Sequence, residues 1–279
     1  MDGWKEGFTL EKSKFSKSHL RNPKNKKDLA KVHKEVLRNY SNLINDSLSN
    51  DYDFAVKFLL WLKQYYELFM NEDTFQPSYL PAYKRGQIVL LNLGFRIGHE
   101  LGGPHYGIVL DINNRKKSGL VTVVPFVSKK KKHTDKGLKP WEYELPFPVS
   151  KLIMDKALKL STELADSRIL NKMLDLIEES GGDLSILDQP EYKKLEKEFT
   201  DLYAMNIDPL LALSPKFQKG SIVDTQQIIT VSKQRIITPT NKKDALFDVK
   251  IPGEDLEKID ALILKNYIHN KAEDLDKTS

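Results

Sequence analysis

Cysteine is absent from all 279 residues of the chain. No disulfide can form, and no thiolate zinc site is possible. No run of about 18 apolar residues occurs, which leaves no candidate membrane span. The opening Met1-Asp2-Gly3-Trp4-Lys5 lacks the apolar segment of a signal peptide. These absences fit a cytoplasmic protein with no membrane association. The six histidines show no metal-ligand spacing such as His-x-x-x-His, and no internal repeat is found. What is present suffices for a folded core: 40% of the residues are hydrophobic, close to ordinary soluble usage, and the length allows one large or two small domains.

The net charge of +5 is unevenly placed. Residues 1–27 hold eight Lys/Arg against three Asp/Glu, and residues 115–139 hold nine against one. Those surpluses of +5 and +8 leave the remainder at −8. Positive charge gathered in one loop beside a glycine-rich loop points to a polyanion, nucleic acid first. The plainer alternative is a solvated, mobile basic loop.

The most informative stretch runs from Tyr83 to Ser128. It holds three apolar, β-branched runs with glycine-rich, polar and basic loops between them, the form of three strands of a small barrel or sandwich. The expected strands are 87–93, 106–112 and 120–128. The loop 94–105 carries His99, Glu100, Gly102, Gly103 and His105, and its glycines allow close backbone or phosphate approach. The third strand ends at Ser128 and runs into Lys129, Lys130, Lys131 and Lys132.

Around this core the chain changes period. Residues 1–27 read as a loosely docked basic arm. Asp28 can cap a helix carrying Leu29, Val32, Val36, Tyr40 and Leu43, and a second helix follows over 53–70. Together these form a helical hairpin, and the domain comprising the arm and hairpin is placed at 1–78. The aromatic stripe of its second helix reads as core. A fourth strand is expected near 141–145. Residues 151–213 read as helical, over 158–177 and 191–203. Strands return at 220–224, 227–231 and 235–237, and a helix at 253–268 closes the pattern. The β domain is thus 79–150 plus 219–270, with a helical insertion at 151–218. His33 and His269 fall on helices and read as structural.

Several of these residues carry a family resemblance. Lys84-Arg85-Gly86 ahead of a hydrophobic strand, Gly98-His99-Glu100-Leu101-Gly102-Gly103, the strand ending at Asn113, Pro125-Phe126-Val127-Ser128, and the later Gln226-Gln227-Ile228 and Lys233-Gln234-Arg235-Ile236 resemble the MazF/PemK toxins. These are endoribonucleases of type II toxin–antitoxin pairs. The resemblance covers about 83–150 and 219–268. It implies an α+β protein built on an SH3-like β-barrel of the CcdB/MazF type, with the N-terminal hairpin and the helical insertion added. It also implies a homodimer, a cognate antitoxin, single-stranded RNA as substrate, and cleavage without metal or other cofactor. The family's catalytic Arg falls on His105, within Gly102-Gly103-Pro104-His105-Tyr106, and its catalytic Thr/Ser falls on Ser128.

The chemistry required is proton transfer to and from an RNA 2′-OH and a leaving 5′ oxygen, with stabilisation of a charged phosphorane. An imidazole suits the proton work near neutral pH. His105, Ser128 and His99 are therefore the catalytic candidates. Lys84, Arg85, Gly102, Gly103, Lys129, Lys130, Lys131 and Gln227 are the RNA-binding candidates, and Glu100 is expected to fix the loop by accepting backbone N–H bonds. Competing readings are a non-catalytic SH3-like module that binds nucleic acid or protein, and a DNA-gyrase poison as in the CcdB branch.

Overall fold

The computed structural model describes residues 17–268. The chain divides into two units between Gln64 and Tyr65, and each is described by itself.

The first unit is helical. It holds α1 (Lys17–Arg21), α2 (Lys26–Asn50) and the first part of α3 (Tyr52–Met70). α2 begins before Asp28, so that residue is not the cap. Its carboxylate instead ties His19 (3.0 Å) to Lys31 (2.8 Å). Asp51 makes the turn of the hairpin. Its N–H donates to the Ser47 carbonyl at 2.8 Å, and its Oδ1 accepts the Phe54 N–H at 3.1 Å, so one residue ends α2 and caps α3. Phe58 is buried and stacks on both Tyr40 and Phe54, with ring centroids 5.7 Å apart. Residues 1–16 of the expected basic arm lie outside the described residues.

The second unit is α+β. Among the described residues, seven antiparallel strands form its sheet: β1 (Ile88–Asn92), β2 (Pro104–Val109), β3 (Leu120–Ser128), β4 (Glu142–Glu144), β5 (Ser221–Asp224), β6 (Ile229–Ser232) and β7 (Ile236–Thr238). The strand order is β4-β5-β3-β2-β1-β7, with β6 also paired to β3. Among the described residues the sheet therefore ends in open edges, and the closed barrel expected from the resemblance is not seen. The strands from both sides of the helical block meet on β3: Phe126 pairs with Val223, and Val121 with Val231.

Alternation along the strands sends side chains to two faces. One face carries Ile88, Ile108, Val124, Phe126 and Val223, and it is covered by apolar residues of the helices α5 (Val149–Ala165), α8 (Asp208–Leu213) and α9 (Gly253–Tyr267). Val149, Ile153, Ala157, Ile207 and Leu210 are buried in this shared core, so the helical block is part of the fold's interior. The other face carries Val89, Leu91, Val109, Val121, Val123, Val231 and Ile236 around Tyr83.

Three details depart from the sequence reading. The second strand starts at Pro104, because its ladder with β1 runs to Asn92↔Pro104, and this puts His105 inside the sheet opposite Leu91. The helix expected through 158–177 splits into α5 and α6 (Arg168–Glu179), where Ser167 turns its side chain onto the Leu170 N–H. The lysine run forms one turn of helix, α4 (Lys131–Asp135), whose buried His133 accepts the Lys130 N–H on Nδ1 at 3.0 Å. α7 (Pro190–Asn206) completes the block.

Phe217, just after α8, is buried edge-on against Tyr106 at 4.5 Å and near Phe126 at 6.2 Å. Phe217→Ala is expected to cost about 3–5 kcal/mol by leaving a cavity between the sheet and the end of the helical block, read as a lower urea midpoint with an unchanged slope.

Candidate nucleic-acid interface

The glycine-rich loop between β1 and β2 is closed by its own backbone. Gly103 N–H donates to the Gly94 carbonyl at 2.8 Å, and Leu93 N–H donates to the Gly103 carbonyl at 2.9 Å. A Cβ at Gly102 would meet the Gly94 carbonyl oxygen at 2.9 Å, too close for any larger residue. Gly102 and Gly103 thus shape the loop, and RNA contact by them is a separate matter.

Gln227, named as an RNA contact, is engaged in this loop. Its Oε1 accepts the Leu101 N–H at 3.0 Å, and its Nε2 donates to the His99 carbonyl at 3.2 Å. Glu100 does not take up backbone N–H groups as expected. It is exposed and faces Arg96 at 3.7 Å. The loop is fixed by Gln227 from the far β segment, with Asn92 Oδ1 accepting the Gly94 N–H at 2.9 Å. Arg96 and Arg235 converge on the Leu93 carbonyl at 2.8 and 3.1 Å. Neither was singled out for the site, and only the motif Lys233-Gln234-Arg235 hinted at one of them.

His105 is half-buried beside Leu91, with Nδ1 enclosed and without a hydrogen-bond partner. Burial pushes its pKa below the ordinary imidazole value. The nearby Gly103 and Gly102 backbone opposes that shift, and the charge of Lys130 adds to it. His99 is exposed in the loop, and His33 is exposed on α2. His269 lies outside the described residues.

Ser128 lies elsewhere. Tyr106 pairs with Phe126, so alternation puts His105 on the opposite face from Phe126 and Ser128. The structure does not join these two side chains as a couple. Ser128 instead lines a cleft of about 700 Å³ with Lys129, Lys130, Lys131, Pro215, Lys216, Gln218 and Lys219. Lys129 also pairs with Glu144 at 2.7 Å. Lys130 links the regions, since it lines the cleft and its charge acts on His105.

Lys84 and Arg85 sit at the other end of β1. Arg85 donates to the Leu110 carbonyl and to Asp260 of α9, and Lys84 pairs with Asp248 at 3.4 Å. Gly86 follows with φ +80, and a Cβ there would strike Leu256 of α9 at 2.8 Å. The Lys-Arg-Gly motif thus docks the C-terminal helix, six residues along the chain from the strand position facing His105. Among the described residues, no group of three or more His, Asp or Glu side chains is placed to hold a metal ion, and no helix is long and apolar enough to cross a membrane.

Residues 84–202 match the family described as PemK-like, MazF-like toxin of type II toxin-antitoxin system. These residues belong to the PemK/MazF toxin family. No curated protein matches the chain. The PemK/MazF match runs from β1 through β4 into α7, so it takes in helices that the motifs alone had set apart, and it stops before β5. A type II toxin implies an antitoxin partner.

Two outcomes are expected. The His105 ring should titrate below about 6.5 by NMR, and Lys130→Gln should raise its midpoint. Because the unfolded chain takes the proton more readily, the stability this ring contributes is present above about pH 6.5 and lost as pH falls. Gln227→Ala should strand the Leu101 N–H and cost roughly 1–2 kcal/mol locally, seen as faster hydrogen exchange at that amide.

Proposed function

We propose that the chain is the toxin of a type II toxin–antitoxin pair and a sequence-specific endoribonuclease that cuts single-stranded RNA, messenger RNA included, without a metal. The observation that carries this reading is His105. By the resemblance it takes the position of the family's catalytic arginine, and burial, with a smaller contribution from the charge of Lys130, holds its pKa below the ordinary imidazole value. A neutral imidazole can accept the 2′-OH proton as that oxygen attacks phosphorus. The bond to the 5′ oxygen then breaks, leaving a 2′,3′-cyclic phosphate and a 5′-hydroxyl once that oxygen takes a proton. His99, on the adjoining loop, is the candidate donor. Lys130 supplies positive charge to the phosphorane, a task an imidazole does less well than the arginine it replaces.

Ser128 takes a different role from the one its motif position implies. It binds a flanking phosphate in the lysine-lined cleft, beside Lys129 and Lys131. The reading includes the family's SH3-like architecture in an open form, a homodimer, a cytoplasmic site of action and an antitoxin whose acidic segment competes for the basic surface.

One observation favours a second reading, a non-catalytic module that binds RNA: His105 and Ser128 project from opposite faces of the sheet. Incubation of the purified protein with a single-stranded RNA panel in EDTA separates the two. Cleavage lost in His105→Ala, with Ser128→Ala raising KM while sparing kcat, supports the nuclease. RNA binding without cleavage by the wild-type protein, unchanged in His105→Ala, supports the module.

A further inference from the structure

The cleft at the end of β3 has two walls of different origin. One is Ser128 to Lys131, where β3 runs into α4. The other is Pro215, Lys216, Gln218 and Lys219, the segment that leaves the helical block and enters β5. The family match stops at residue 202, so this second wall lies beyond it.

The walls are joined by backbone. Ser128 pairs with Ser221, and Lys129 N–H donates to the Gly220 carbonyl at 3.2 Å. Phe217, wedged against Tyr106, anchors the second wall in the core and sets the neighbouring lysine at the surface. The cleft is therefore built, and its charge is concentrated. Five lysines line it and no carboxylate does. Lys129 is offset by Glu144. Lys130, Lys131, Lys216 and Lys219 form no ion pair among the described residues.

We infer that this cleft is a clamp for single-stranded RNA in which Lys216 and Lys219, from the end of the helical block, grip backbone phosphates next to the nucleotide presented to His105. The inference rests on the RNA reading given above. Lysines are compact cations that hold phosphates without reading sequence. The Ser128 hydroxyl and the Gln218 amide add hydrogen-bond donors to the same surface. RNA is favoured over an acidic protein segment because the cleft and His105 lie at the same end of the β2–β3 ladder: His105 precedes Tyr106, whose partner Phe126 is two residues before Ser128. A strand held here continues to the imidazole, which a partner protein has no need to reach.

The test uses the full chain and a fluorescent single-stranded RNA made uncleavable by 2′-O-methylation, titrated across a range of salt. Each phosphate contact to a single strand contributes about 0.7 to the slope of log affinity against log salt. The double variant Lys216→Gln/Lys219→Gln should lower that slope by about 1.4 and weaken binding by a similar factor for unrelated RNA sequences. Lys172→Gln, on exposed α6, should leave both unchanged. Thermal melting confirms that the double variant is folded, and the single variants Lys216→Gln and Lys219→Gln, each expected to lower the slope by about 0.7, serve if it is not. An unchanged slope overturns the clamp even if wild-type RNA cleavage is intact. A reduced slope in a protein that cuts no RNA upholds the clamp and overturns only the nuclease reading. Poly-glutamate binding as tight as RNA binding, and equally weakened by the substitutions, overturns the clamp in favour of an acidic protein ligand.

Discussion

The second unit depends on the hydrogen-bonding of one strand. β3 spans nine residues and is laddered to β2 along one edge and to β5 and β6 along the other. Its residues Val121 and Val123 are buried on one face and Val124 and Phe126 on the other, so both apolar clusters of the unit are anchored to it. A strand buried on both faces reads as a continuous apolar run, and Leu120-Val121-Thr122-Val123-Val124-Pro125-Phe126-Val127 has that form. Pro125 contributes no N–H to the ladder, yet it lies opposite Gly107 in a crowded stretch where a side chain on the partner would meet Val123 at 3.1 Å. Glycine and proline here are the packing solution to a close crossing of strands.

The same strand explains how the surface is divided. Because side chains alternate, His105 at one face and Ser128 at the other cannot share a reaction centre in the manner that their motif positions implied. Lys130 lines the open lysine cleft, and its charge acts on the shielded imidazole. The imidazole and the lysine cleft thus occupy different places on the sheet.

The sequence was legible where periodicity and burial agree. The third strand was placed at 120–128 and is found there, and the strand near 141–145 and the closing helix fall within a residue or two of their expected bounds. β2 starts two residues before the expected 106, at Pro104, where a proline as a strand's first residue costs the ladder little. The lysine run concealed a turn of helix because the stabilising contact is a backbone N–H to His133, and no charge pattern announces that bond. Site residues were legible only through their motif. Gln227 and Glu100 illustrate the limit: the motif marked both, but which of them secures the loop depends on a contact across 126 residues. Lys216 and Lys219 carried no signal at all, since their proximity to Lys130 exists only once β5 pairs with β3.

That long-range contact of Gln227 has a temporal consequence. The loop bearing His99, which leads into His105 of β2, closes on an amide supplied by residue 227, and the sheet edge beside it needs β7 at residues 236–238. A chain growing from its N-terminus has therefore added a further 126 residues beyond Leu101 before that loop has its anchor. Until then the loop has only its local backbone bonds and the β1–β2 ladder, and its final clamp waits on a segment made much later.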